Sequence, residues 1–460
     1  MADISNAPGL TRRIADYAVA AAATPLPEGV VEKAKHHVLD TIAAMVSGAT
    51  LPPGRFARDY VRGLGGADEA SVVGAAFLTS AVNAVLANAM AAHADETDDS
   101  HPRSLTHPGC AVVPAALAMA ERQGSSGAEF LRAVVLGYDL CARTGMMLGG
   151  TRFVHERDFD SHAFGGCFGA AAAAGTLAVR EGAQMAHVLS YAAHQAAGLT
   201  TLFRDPHHVE KAFVFAGMPA RNGVAAATMV EAGFTGVADV FDGAPSFLTA
   251  FGVAPAGARV FDDLGIAFEI TQTNIKRWSV GSPVQAVLDS LEALMLQHHF
   301  TAADIAAVAV HMPATSVKVV DNRDMPDINV QHLAALMLYD RTMSFSASHD
   351  VKRMTDPGVL ALRTKIEIVR SEELDKLRPS RQAIVEITLA NRRKLRHHTQ
   401  AVRGTTDNPM MREEVASKAR DLMTPVLGDA NARRVVERVW ELERLTSVST
   451  LCALLQKPGK

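Results

Sequence analysis

At 460 residues the chain exceeds one typical hydrophobic core, so two or more domains are expected. An apolar fraction of 48% with 20% charged residues describes a soluble globular protein, and a net charge of -4 gives no electrostatic case for nucleic acid. Aromatics are only 5% while alanine abounds, which points to many closely packed helices. The cysteines stand alone at 110, 141, 167 and 452 with no CxxC pair. A zinc ribbon, redox dithiol or iron–sulfur cluster is therefore not expected; reduced thiols in a cytoplasmic protein are.

TRRIADYAVAAAATP has two arginines before an apolar stretch, but Asp16 interrupts it, so an amphipathic helix is expected rather than an export signal. No run reaches membrane-spanning length. VVEKAKHHVLDTIAAMVSG sets Val31, Ala34, Val38, Ile42 and Met45 at helical spacing, with Gly48 as the expected C-cap. TSAVNAVLANAMAAHAD is apolar nearly all round, which suits a central helix capped by Thr79 or Ser80. SGAEFLRAVVLGYDLCAR and CFGAAAAAGTLAV continue the helical pattern. Near residue 270 the character changes. Residues 305–313, 364–370 and 382–391 alternate with period two and predict strands, separated by helical stretches such as VQAVLDSLEALMLQHH and VQHLAALMLYD. EEVASKARDLM and ARRVVERVWELERL then return to helix.

Four stretches could carry chemistry. HADETDDSHPRSLTHPG, residues 93–109, packs Asp95, Glu96, Asp98 and Asp99 with His93, His101 and His107 between apolar helices. Carboxylates at the C-terminal end of a buried helix face the negative end of its dipole, which predicts raised pKa values. Proton transfer or substrate binding, a metal site, and a solvated loop all stay open, the metal reading lacking any HExxH-like spacing. In DFDSHAFGGCFGAAAAAG, His162 precedes glycines read as a turn that opens an alanine helix, where backbone N–H groups can bind an anion. A capping histidine is the structural alternative. In DPHHVEKAFVFAGMPARNG, Lys211 and Arg221 bracket an apolar segment; solvated snorkelling is the usual fate and anion binding the functional one. His207 and His208 are adjacent and diverge, so they are not read as a metal pair. In TNIKRWSVGSPVQAVLDS, Lys276 and Arg277 precede a turn at the domain change, either as a solvated basic pair or as ligand-binding cations. No GxSxG elbow and no P-loop is present.

Together these stretches resemble the MmgE/PrpD family, which includes 2-methylcitrate dehydratases, cis-aconitate decarboxylases and iminodisuccinate epimerases. The resemblance rests on AKHHVLDTIAAMVSG, AVNAVLANAMAAHADETDDSH, THPGCAVVPAALAMAE, SGAEFLRAVVLGYDLCAR, HAFGGCFGAAAAAGTLA, MPARNGVAAATMVEAGFTG and NPMMREEVASKARDLM, and runs through nearly the whole chain. It implies a mainly α fold: a large all-helical domain, residues 1–269, an inserted α/β lid, residues 270–402, and a helical return, residues 403–460. It also implies a homodimer, an active site between helical domain and lid, and no cofactor or metal.

The family's D-x-D-D-T resembles Glu96-Thr97-Asp98-Asp99-Ser100, with Asp95 beside it if the register slips by one. The family's T-H-P resembles Thr106-His107-Pro108, its His before the Gly/Ala-rich helix resembles His162, and its two lysines resemble Lys211 and Lys276. Many members carry a His about five residues after the second lysine; Gly281 stands there in this chain. On this resemblance His107 and His162 are the expected acid and base, with Glu96 and Asp98 orienting them or holding substrate hydroxyls. Asp95, Ser100, Lys211, Lys276 and Arg277 are the expected substrate-binding residues. The implied partner is a small di- or tricarboxylate, with no nucleic acid or membrane. Dehydration of a 2-methylcitrate-like acid is placed first, with epimerisation of an iminodisuccinate-like acid or decarboxylation of a cis-aconitate-like acid as alternatives. A carboxylate-binding scaffold and a metal-dependent hydrolase are the readings from other classes.

Overall fold

The computed structural model describes residues 9–457. The chain is mainly helical and divides into two compact units. One contains the residues up to Ala94, Asp98–Thr273 and those from Leu422 on; the other contains Asp95–Thr97 and Asn274–Asp421. Among the described residues no helix is long and apolar enough to cross a membrane.

The first unit is a helical assembly around the Ser161–Ala178 helix, which is buried along almost its whole length. Small residues let its neighbours approach closely. A Cβ on Gly169 would lie 2.6 Å from the Gly137 carbonyl oxygen, and one on Gly223 would lie 2.5 Å from the Ala171 nitrogen. Real Cβ atoms do not tolerate such contacts, so glycine permits the helices Gly127–Met147 and Met218–Glu231 to pack backbone to backbone against this one. The Glu28–Gly48 helix buries Ala34, Val38, Ile42 and Met45 completely but leaves Val31 half-buried, and from Ala34 on it is covered on every side. Its end differs from expectation. Gly48 is the last helical residue and Ala49 the cap; glycine is needed there because a Cβ would collide with the Ala91 carbonyl. The Ala81–Ala92 helix starts from Ser80, whose hydroxyl accepts from the Asn83 N–H, and the Gly127–Met147 helix from a full capping box of Ser126 with Glu129.

The second unit carries a four-stranded sheet in the order β2-β1-β3-β4: β1 Ile305–Pro313, β2 Ile366–Ser371, β3 Ala383–Leu389 and β4 Lys394–Thr399. β1 and β2 are parallel, with Val308 opposite Ile366; the other neighbours are antiparallel. The Gln285–Gln297 and Val330–Asp340 helices close an apolar core over it, built from Leu288, Leu291, Leu333 and Leu336 against Val308, Val310, Val385 and Ile387. β4, KLRHHT, was not expected as a strand. It is polar because it lies at the sheet edge with only part of one face covered.

Candidate active site

Sequence-selected residues fall in both units. Asp98, Ser100, His107, His162 and Lys211 belong to the first; Asp95, Glu96, Lys276 and Arg277 belong to the second.

In the first unit the apolar 81–92 helix stops at Ala92, and His93 is its C-cap. The chain then turns back so that the Asp98 carboxylate stands between two imidazoles, 3.0 Å from His93 Nδ1 and 3.1 Å from His107 Nδ1. A carboxylate only accepts, so each ring donates from Nδ1. His107 is the N-cap of the Pro108–Gln123 helix, whose Pro108 at the first position is preset for helix.

Asp99, the next residue, fixes the turn. It accepts from the Tyr138 hydroxyl at 2.6 Å and the Gly109 N–H at 3.0 Å, and pairs with His37 Nδ1 at 2.8 Å. A Cβ on Gly109 would meet the Tyr138 hydroxyl at 2.8 Å and Asp99 Oδ1 at 2.9 Å, so only glycine fits. Burial holds the Tyr138 hydroxyl well above its usual range, with the Asp99 charge adding to it. Ser100 is half-buried beside this turn.

His162 sits in the first turn of the 161–178 helix, whose N-cap is Asp160. This corrects the expected glycine turn: Gly165, Gly166 and Gly169 are inside the helix, where they serve close packing. Asp160 accepts from the Ala163 N–H through one oxygen and lies 3.2 Å from His162 Nδ1 through the other. The His162 ring stacks on Phe215 with centroids 3.6 Å apart, and the His107 and His162 centroids are 5.1 Å apart. Phe215 lies in a π-helical turn, Phe213–Gly217, between the Val209–Ala212 and Met218–Glu231 helices. Such turns break helix regularity and often mark functional sites. Here the turn brings the Lys211 ammonium over the same Phe215 ring, 5.1 Å from its centroid. His107, His162 and Lys211 are thus gathered round one aromatic ring, with Asp98 bonded to His107. His93, whose ring also stacks on Phe215 with centroids 4.8 Å apart, and Asp99 lie in the polar stretch singled out from sequence but were given no site role there; Phe215 carried no signal beyond core.

His93, Asp98 and Cys110 each offer a ligand atom within 4.8 Å of the others. A metal would need the thiolate. Burial, then Asp98 and Asp99, holds the Cys110 thiol well above its usual range, and its sulfur donates to the His107 carbonyl. That raised value describes the metal-free state, since a bound cation would itself favour the thiolate.

In the second unit the strip Asp95–Thr97 is folded on itself: Asp95 accepts from the Thr97 N–H at 2.8 Å and the Thr97 hydroxyl at 2.9 Å. Lys276 donates to the Glu96 carbonyl at 2.6 Å, and its ammonium is 3.8 Å from the Glu96 carboxylate. His349 Nε2 is 2.9 Å from Asp95 Oδ2. Burial alone would raise the Asp95 carboxyl; the contact and charge of His349, with the Thr97 bonds, reverse this and hold it low. The raised pKa expected of these helix-end carboxylates is therefore not what Asp95 has. Arg277 is committed to Glu292 through two bonds of 2.6 Å and lies over the Trp278 ring. At Gly281 a Cβ would press on Ile328 at 3.1 Å.

Comparison with known proteins matches residues 12–255 to the MmgE/PrpD N-terminal domain and residues 278–442 to the MmgE/PrpD C-terminal domain. The chain is 24% identical over 497 residues to a cis-aconitate decarboxylase of Aspergillus terreus, covering 100% of this chain and 98% of the relative. It is 24% identical to a cis-aconitate decarboxylase-like protein of Aspergillus oryzae, covering 97% of each chain. It is also 24% identical to the human cis-aconitate decarboxylase, covering 94% of this chain and 92% of the relative.

Proposed function

The chain belongs to the MmgE/PrpD family, and on that premise we propose that it is a cofactor-independent lyase that moves a proton next to a carboxylate of a di- or tricarboxylate. The observation that carries the reading is the Asp98–His107 pair, 3.1 Å apart, with the His162 ring beside it. One imidazole takes the proton α to a substrate carboxylate while the other gives a proton to the leaving group. Lys211 and Lys276 are the proposed carboxylate-binding cations. Removing the α proton builds negative charge on the carboxylate, which a fixed ammonium stabilises.

The first specific reading is dehydration of a 2-methylcitrate-like acid: the α proton leaves to one histidine, and the β hydroxyl departs as water with a proton from the other. Decarboxylation of a cis-aconitate-like acid is the second, favoured by the names of the relatives. There carbon dioxide leaves, and the electron pair left on the carbon skeleton takes a proton. Epimerisation, in which the proton returns on the opposite face, is favoured by Gly281 where many family members carry His.

Proton NMR in D₂O decides among them, using 2-methylcitrate, cis-aconitate, citrate and iminodisuccinate with wild type and His107→Ala. A change in vinyl signal without carbon dioxide identifies the dehydratase, and released carbon dioxide the decarboxylase. Solvent deuterium next to a carboxylate without elimination identifies the epimerase. His107→Ala is expected to lose about 100-fold or more of the activity. Turnover that depends on stoichiometric metal would overturn the cofactor-free reading.

A further inference from the structure

Asp95–Thr97 belong to the second unit although Ala94 and Asp98 belong to the first. Three basic side chains of the second unit hold the strip. Lys276 donates to the Glu96 carbonyl and Lys418 to the Thr97 carbonyl at 3.0 Å, while His349 pairs with Asp95. Of the three, only His349 belongs to a residue type that ordinarily changes charge near neutral pH.

His349 ends the Phe345–His349 helix, and its ring lies against Phe345 with centroids 4.2 Å apart. Its Nδ1 is 2.9 Å from the Phe345 carbonyl and 3.0 Å from the Ser348 hydroxyl. A carbonyl only accepts, so Nδ1 carries a proton. Nε2 faces two carboxylates, Asp95 at 2.9 Å and Asp327 of the Pro326–Ile328 turn at 3.8 Å. A neutral ring would turn a lone pair on both; only the imidazolium suits the position. Glu96 is the next charged group, acting on Asp327, and Lys276 lies against Glu96. Asp327 Oδ2 and His349 Nε2 are both buried and neither makes a well-aligned hydrogen bond among the described residues, so His349 and Asp95 attract each other as an ion pair.

We propose that protonated His349 is the positioning residue of this strip: its imidazolium anchors Asp95 and thereby fixes Glu96 against Lys276. The role of Glu96 in it rests on the proposed function, whereas the anchor itself does not. Burial lowers the imidazole pKa, but Asp95, Asp327 and the Phe345 carbonyl outweigh it and bring it to about 9. The anchor is then intact at neutral pH and released as pH rises through about 9.

The test compares wild type with His349→Gln, which keeps an amide donor but cannot carry charge. In crystals at pH 7 the Glu96 carboxylate of the variant is expected to leave Lys276 by more than 1 Å with the four-stranded sheet unchanged. An unmoved strip overturns the proposal. For the acid that wild type consumes, kcat/KM should fall at least tenfold, and an alkaline limb near pH 9 present in wild type should be absent from the variant. The same limb in both proteins counts against the anchor. Where His349→Gln does not fold, labelled-histidine NMR of wild type and Asp95→Asn replaces it. The His349 midpoint should lie above 8 in wild type and fall by at least one pH unit in Asp95→Asn; a wild-type midpoint at or below 6.5 overturns the proposal. Should wild type consume none of the acids, the proposed function fails, while strip position and imidazole midpoint still decide the anchor.

Discussion

Each unit holds a buried histidine–aspartate pair of nearly the same length, His37–Asp99 at 2.8 Å and His349–Asp95 at 2.9 Å. Their protonation diverges. Burial drives His37 down to about 4, with Lys33 and His36 adding to the fall against the pull of Asp99. His349 is brought to about 9 against its own burial. The Asp99 carboxylate is shared with the Tyr138 hydroxyl and the Gly109 N–H, and a lysine lies nearby. His349 instead faces two carboxylates and a backbone carbonyl. The length of a buried pair therefore does not set its charge state; the count of donors, acceptors and charges around it does.

Asp99→Ala should break the first pair with the largest effect. It strands the Tyr138 hydroxyl, the Gly109 N–H and His37 Nδ1 in the interior at once. Urea denaturation should show a loss of about 3–5 kcal/mol. His37 stays neutral between pH 7 and pH 9, so any difference in the loss over that range reports Lys33, whose charged form Asp99 supports.

Asp327→Asn sharpens the second pair. Burial, with Asp95 and Glu96 adding to it, raises the Asp327 carboxyl to about 6 from an ordinary 3.8. The folded state thus binds that proton more tightly, and wild type should lose stability as pH rises from about 4 through 6. The variant should escape this loss and gain about 1–2 kcal/mol near pH 7, net of the carboxylate that His349 loses. Its His349 midpoint should fall below the wild-type value.

His37→Gln gives the smallest change, under about 1 kcal/mol at pH 7, since an amide can still donate to Asp99. The folded pKa of His37 lies below its unfolded value. Wild type should therefore lose stability as pH falls from about 6.5 through 4, and the variant should not. Equal acid slopes for the two proteins in denaturant titrations would mean that His37 is not the neutral member of the comparison.

Much of this architecture is legible in the sequence because burial imposes a period. Ala34, Val38, Ile42 and Met45 repeat at helical spacing and all vanish from the surface; β1 and β3 announce themselves by alternation. β4 stayed hidden because an edge strand need not be apolar. The glycines before CFGAAAAAG were misread as a turn because glycine permits a bend and a close crossing equally, and only the facing backbone tells which applies. Asp98, His107 and His162 stand out as polar residues among apolar runs. Phe215 looks like any core aromatic, and its place against three imidazoles and an ammonium depends on a π-helical turn that no local pattern signals. His349 sits in SFSASHD without a recognisable spacing, and its partner lies 254 residues earlier by the two positions.

The strip Asp95–Thr97 also places the two units on different clocks during synthesis. Thr97 waits for Lys418, 321 residues later, and Lys35 for the Trp440 carbonyl, 405 residues later. At about 5–20 residues per second, a ribosome needs roughly 16–64 s to deliver that lysine to the strip. Over that interval Lys276, then His349 and last Lys418 become available to the acidic segment, and the nascent first unit still lacks the residues from Leu422 on that complete it. The second unit, whose residues from Asn274 to Asp421 emerge as one run, can assemble while the older part of the chain is still incomplete.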